Sequence, residues 1–181
     1  MAFETTHSEK KFSGKAFSVR QDQVRLPDGN SAQLDIVEHT GAVTIIPIDA
    51  DGKIWFVRQY RHAVGIHILE LPAGTLEEGE DPQVCAQRET REEIGMAAEH
   101  FQKLGSFYLA PGYSTEYMHI FLATNLHPDP LPGDDDEFLS IQQFSVEQAF
   151  RMVENGEIKD AKSLAALLLL QLHFITLSES Q

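Results

Sequence analysis

Apolar positions along residues 12–60 either alternate with polar ones or run in short unbroken blocks, the two signatures of β-strands. The segment 12–25, FSGKAFSVRQDQVR, alternates around Phe17, Val19 and Val24. After the turn Leu26-Pro27-Asp28-Gly29-Asn30, Ser31–Glu38 returns with Leu34, Ile36 and Val37. The pair predicts an antiparallel hairpin, which is marginal alone and must pack on its own domain or a second subunit. Gly41–Ile48 and Lys53–Tyr60 are stronger β segments joined by the turn Asp49-Ala50-Asp51-Gly52. Val64–Leu71, Leu104–Leu109, Tyr117–Ala123 and Glu137–Phe144 complete the predicted strands. The polar residues 1–11 are expected to be loosely attached. The Pro- and Asp-rich stretch 126–136 is expected to be a loop.

Three segments call for helices instead. Asp81–Ile94 is stopped by Gly95. Ser145 and Gln148 form a capping box that opens Val146–Glu154, and Asn155-Gly156 ends it. Asp160 can cap a last helix over Ala161–Leu177, whose Leu-rich face is expected to be core. Strands interleaved with helices predict an α/β sandwich. The chain divides into an N-terminal β extension, residues 1–39, and a main domain, residues 40–181.

Composition narrows the class. The 181 residues are 42% hydrophobic, enough for one domain with a small appendage. Fourteen basic against 28 acidic residues give a net charge of −14. That argues against nucleic acid or an anionic membrane surface as the main partner, though metal ions can still mediate contact with a small phosphorylated substrate. The single cysteine, Cys85, excludes an intrachain disulfide and suits a reducing cytoplasm. The N-terminus lacks the apolar core of a secretory signal, and the longest apolar run, Leu164–Leu170, is too short to span a bilayer.

The candidate chemistry sits in residues 70–96, ELPAGTLEEGEDPQVCAQRETREEIGM. On a helix, Glu89 and Glu93 lie one turn apart with Glu92 beside them. Three carboxylates on one face repel each other. A bound cation would offset that cost, and carboxylate oxygens suit Mg²⁺ or Mn²⁺.

This stretch resembles the Nudix box, G-x5-E-x7-R-E-U-x-E-E-x-G-U with U aliphatic. Gly74, Glu80, Arg88, Glu89, Glu92, Glu93 and Gly95 are all in register, followed by Met96. Thr90 departs, standing where the family mostly has an aliphatic residue; it is small enough to pack there. The resemblance implies the Nudix fold, a mixed β-sheet sandwiched between helices, over about residues 40–177. It also implies metal-dependent hydrolysis of a diphosphate. Elements outside the box are similar to ADP-ribose pyrophosphatases. Glu70-Leu71-Pro72-Ala73-Gly74 resembles the segment that opens their box, and Arg58-Gln59-Tyr60-Arg61 resembles their R-Q-x-R element. Pro111, with Gly112, lies fifteen residues past Met96, as in that group.

By this resemblance Glu89, Glu92 and Glu93 with the main-chain carbonyl of Ala73 are the metal ligands, Glu92 also counting as catalytic. Arg61, with Arg58, clamps the diphosphate beside Pro111 and Gly112. Arg88 and Glu80 form a structural ion pair. The base is expected in a loop before the last strand, where Glu137 is the best match, Asp136 and Asp135 are substitutes, and Glu116 is a second candidate. The N-terminal strands imply a homodimer, in which such strands commonly exchange and help bind the nucleobase. Phe3, Phe12, Phe17 or Tyr113 could stack on that base. Relatives often carry arginine just before the residue equivalent to Asp35; Gln33-Leu34 here favours a broader nucleoside diphosphate sugar hydrolase. The expected reaction yields a nucleoside monophosphate and a sugar phosphate from ADP-ribose or a related nucleoside diphosphate sugar. The rival readings are a dinucleoside polyphosphate or nucleoside triphosphate pyrophosphatase, to which Tyr113 points, and a sensor that binds nucleotide sugars without cleaving them. An mRNA-decapping role lacks the basic stripe it would need.

Overall fold

The structure is a computed structural model, which describes residues 2–133 and 138–179. Its centre is a four-stranded mixed sheet in the order β7 (Ala73–Thr75), β4 (Ala42–Pro47), β9 (Tyr117–Pro128), β8 (Met96–Tyr108). β4 and β9 run parallel and the other neighbours antiparallel. A strand buried on both faces reads as an unbroken apolar run, and β4 is buried at every position. Its Val43 and Ile45 face the helix α1 (Pro82–Ile94), together with Phe121 and Ala123 of β9 and Cys85 and Ala86 of α1. Ala42 and Ile46 face the other way, with Met118, Ile120 and Leu122 of β9. There they meet Ala149 and Met152 of α2 (Val146–Glu154) and Ala166, Leu167 and Leu170 of α3 (Ala161–Glu179). The sheet therefore lies between α1 on one face and α2 and α3 on the other, as expected.

The remaining strands form two further sheets. β5 (Lys53–Arg61) lies between β10 (Ser140–Ser145) and β6 (Ile66–Glu70), all antiparallel. The Asp49–Gly52 turn thus carries the chain from one sheet to another, with only an isolated bridge, Ile48 to Ile54, between them. At the N-terminus, β1 (Glu4–Ser13), β2 (Ser18–Arg25) and β3 (Ser31–Glu38) form a three-stranded antiparallel meander. The expected hairpin is its β2–β3 half. Residues 4–11, expected to be loose, belong to β1, which pairs along the whole of β2 although every one of its residues is exposed. The end of β3 is stitched to the body by Val37, whose N–H donates to Tyr113 O and whose carbonyl accepts from Thr115 N.

Other boundaries also differ from the sequence pattern, most of all in β8 and β9. β8 begins at Met96 rather than near Leu104, and β9 continues through residues 126–128, expected to be loop. Both extensions pair with each other, Met96 opposite Pro128. The helix bounds agree with the capping chemistry. The Asp81 side chain accepts from Gln83 N and Val84 N, Pro82 follows, and Gly95 closes α1 in the left-handed conformation, φ 69°. Asp160 accepts from Ser163 N at the start of α3. By length and composition alone, Ala161–Ser178 of α3 could cross a membrane, which the seven-residue run did not suggest. In this structure its first half packs into the core, while Leu168, Leu172, Ile175 and Leu177 are exposed.

Candidate active site

α1 turns Cys85 and Ala86 into the core against β4 and β9 and its charged face toward β7. Arg88 is the hub of that face. Its Nη1 donates to Glu89 Oε1 at 2.6 Å and to Glu92 Oε2 at 2.9 Å. Its Nε and Nη2 donate to the Glu80 carboxylate at 3.2 and 3.1 Å, the loop-to-helix pair expected from the box. These bonds, to Glu80 first, push the Arg88 guanidinium to hold its proton more tightly than usual. Burial, the largest influence, would raise the Glu80 carboxyl, but the Arg88 hydrogen bonds, the Glu77 N–H and the Arg88 charge together keep the group below the ordinary carboxylate range. Thr90 is fully buried, and its Oγ1 donates to Ala86 O one turn back at 2.6 Å. The hydroxyl is satisfied inside the helix, so Thr fills an aliphatic position without a stranded polar group.

Glycine at position 74 has a steric cause. A Cβ there would lie 1.8 Å from Glu89 Oε1, so the carboxylate passes where any side chain would stand. Glu93 Oε2 accepts from Ala73 N at 3.0 Å, which ties the helix to the strand carrying the expected Ala73 carbonyl. Glu89 and Glu93 are both 8% exposed. The donor set is all oxygen, the chemistry a hard divalent cation needs. As they stand, no three acidic, histidine or cysteine side chains among the described residues are arranged to hold an ion. Two of the three glutamates are instead turned onto Arg88, and a cation would take that place while Arg88 keeps Glu80. The residues fit a divalent metal on donor chemistry and on the space that Gly74 leaves.

A cavity of about 860 Å³ opens over this face. Ala73, Arg61, Glu89, Glu92, Glu93 and Glu116, all expected site residues, line it. Arg61 is committed on one edge: its Nε and Nη2 donate to the two oxygens of Glu70 at 2.7 Å each. Arg58 is elsewhere. Successive strand residues face opposite ways; Gln59 and Arg61 line the large cavity, whereas Arg58 lines a separate one of about 330 Å³ with His67 and Lys159. Pro111 and Gly112 sit in the turn before Glu116 and are not part of the large cavity's lining. Nor is Tyr113, which is 59% exposed and meets β3 through its backbone. Glu137, Asp136 and Asp135 lie outside the described residues.

Sequence reasoning missed one part of the wall. Glu70, Asp160 and Lys162 line the cavity, and Lys162 Nζ donates to both carboxylates. Burial alone would raise the Glu70 carboxyl, yet the Arg61 hydrogen bonds and the Lys162 charge overcome it and hold the group low. One signal was present: a charged residue, Glu70, directly after the apolar Ile68-Leu69, a position that burial demands be paired.

Residues 38–167 match the family model described as NUDIX domain. The chain is 39% identical over 170 residues to the ADP-ribose pyrophosphatase of Bacillus subtilis (strain 168), covering 93% of this chain and 92% of that one. It is 38% identical over 170 residues, with the same coverage, to a Bacillus methanolicus protein named methanol dehydrogenase activator. A crystal structure titled ADP compounds hydrolase superposes with a TM-score of 0.87 at 24% identity, covering 97% of this chain and 96% of that chain, and so shares the fold.

Proposed function

This chain belongs to the Nudix family, and from that premise we propose that it hydrolyses the diphosphate of ADP-ribose and related nucleoside diphosphate sugars. The products are a nucleoside monophosphate and a sugar phosphate. The observation that carries the reading is that the box carboxylates and Arg61 face one cavity, large enough for a nucleotide sugar. Mg²⁺ is the proposed cation, with Mn²⁺ able to replace it, held by Glu89, Glu92, Glu93 and the Ala73 carbonyl. Bound there, it would supply charge neutralisation of the phosphoryl oxygens and a lowered pKa for a coordinated water. Arg88, anchored on Glu80, ties the loop before α1 to the helix that carries the carboxylates. Arg61 spends Nε and Nη2 on Glu70, which leaves Nη1 as the corner that meets the diphosphate. Glu137, or Glu116 in the cavity wall, deprotonates or orients the attacking water. The −14 charge supports a small-molecule substrate over nucleic acid or an anionic membrane. The exposed β1 supports a homodimer that covers it, and the lone cysteine supports the cytoplasm.

The test is product release with Mg²⁺ across ADP-ribose, ADP-glucose, GDP-mannose, UDP-glucose, a diadenosine polyphosphate and a deoxynucleoside triphosphate. ADP-ribose is expected to be fastest, with the sugars close behind. A preference for the polyphosphates would overturn the substrate class. Tight binding without cleavage would make the protein a sensor.

A further inference from the structure

The reaction as derived uses Arg61 and the acidic face of α1, and leaves unused a lysine from a distant part of the chain. Lys162 stands in the first turn of α3, 8% exposed, in the wall of the same cavity. A buried ammonium is costly unless paired, and this one is paired twice. Nζ donates to Glu70 Oε2 and, at 2.7 Å, to Asp160 Oδ2. Glu70, 2% exposed, receives the Arg61 fork from its other side, so Oε2 is shared between an arginine and a lysine. Asp160 is fixed in turn. Its Oδ2 accepts from Ser163 N at 3.1 Å and Ser163 Oγ at 2.6 Å, and that Oγ accepts from Leu71 N at 2.8 Å. The cluster holds two carboxylates and two cations, and it bolts the start of α3 onto the residues leading to Ala73.

We infer that Lys162 is a positioning residue for substrate binding: it takes up the charge of Glu70 and Asp160 so that Arg61 can present its outer corner to a diphosphate. The inference rests on the reading of this cavity as a diphosphate site. Arg61 is tied to Glu70 by hydrogen bonds and also feels the negative charge of Asp160 and Glu93. Without the lysine, both Glu70 and Asp160 would draw on Arg61 alone, and the incoming phosphates would compete with them for one guanidinium. Binding would weaken. The chemical step, carried by α1 and its cation, would not change.

The test is steady-state hydrolysis of ADP-ribose with Mg²⁺ by the wild type, Lys162→Met, Lys162→Arg, Arg61→Gln and the Lys162→Met/Arg61→Gln double variant, each checked by thermal melting. Lys162→Met is expected to raise KM about tenfold while kcat stays within about threefold. Lys162→Arg should restore most of the affinity. The double variant should have a KM no worse than Arg61→Gln alone, since the lysine acts through that arginine. A Lys162→Met effect that falls on kcat with KM unchanged overturns the inference, as does a double variant in which the two KM penalties multiply. Should Lys162→Met fail to fold, Lys162→Gln, which keeps a donor toward Glu70 without the charge, carries the same expectation. A wild type that cleaves no diphosphate substrate would instead remove the reading of the cavity, and this inference with it.

Discussion

The box helix and the N-terminal sheet are both rich in charge, and they treat it in opposite ways. Around α1, one guanidinium binds three carboxylates, and its partners' side chains are only 11–24% exposed. On the N-terminal sheet, Lys11 with Glu9 and Arg25 with Glu4 pair through side chains 41–69% exposed. Exposed pairs are screened and contribute little, whereas a partly buried hub costs heavily when one member is lost. Charge near the box is therefore structure and chemistry together, while charge on β1 keeps an exposed strand soluble. Arg20, between Asp22 and Glu38, gives the sheet a comparable internal tie.

The contrast is broken most sharply by removing one carboxylate. Glu93→Gln should cut Mg²⁺-dependent turnover about a hundredfold or more with the melting curve retained; unchanged turnover would remove Glu93 from the site. Gly74→Ala comes next. Its methyl group would displace the Glu89 carboxylate, and turnover should fall on the order of a hundredfold with about 1–3 kcal/mol of stability lost to overpacking. Arg88→Met leaves Glu80, Glu89 and Glu92 without their common cation, and urea unfolding should show a loss of about 2 kcal/mol. Acid acts on the same region. Glu70 and Glu80 are held below their ordinary range, so the unfolded chain takes up their protons first as pH falls. Their contribution is fully present at neutral pH and should fade from about pH 4.5 downward, a loss that Lys162→Met should reduce in unfolding titrations. At the other end, Lys11→Ala should leave the melting midpoint unmoved.

The same difference decided what could be read from the sequence. Residues whose identity is set by local chemistry were legible: Asp81 and Gly95 bound α1, and Ser145 with Gln148 opens α2. The box residues were legible because spacing on one helix determines which side chains meet. β1 was not, because a strand exposed on both faces needs no alternation of apolar residues. The first half of β8 was missed for a related reason: it is an edge strand whose polar residues pair only with β9. The separation of β4 and β5 into different sheets follows from one turn, and nothing in the Asp49–Gly52 chemistry distinguishes a hairpin from a crossover between layers. The Lys162 cluster was hidden by distance, since Glu70 and Lys162 are 92 positions apart. Asp160 could be recognised as a cap, but what the next turn of that helix touches is a property of the fold.

The measurement that bears most directly on the account is a Mn²⁺ titration followed by the electron paramagnetic resonance signal of the free ion. It would compare the wild type with a Glu89→Gln/Glu93→Gln double variant, each with and without a non-hydrolysable ADP-ribose analogue. The account predicts that the wild type depletes free Mn²⁺, more tightly with the analogue, and that the variant does neither. Equal depletion by both proteins would contradict it, because the cation would then be held somewhere other than the acidic face of α1.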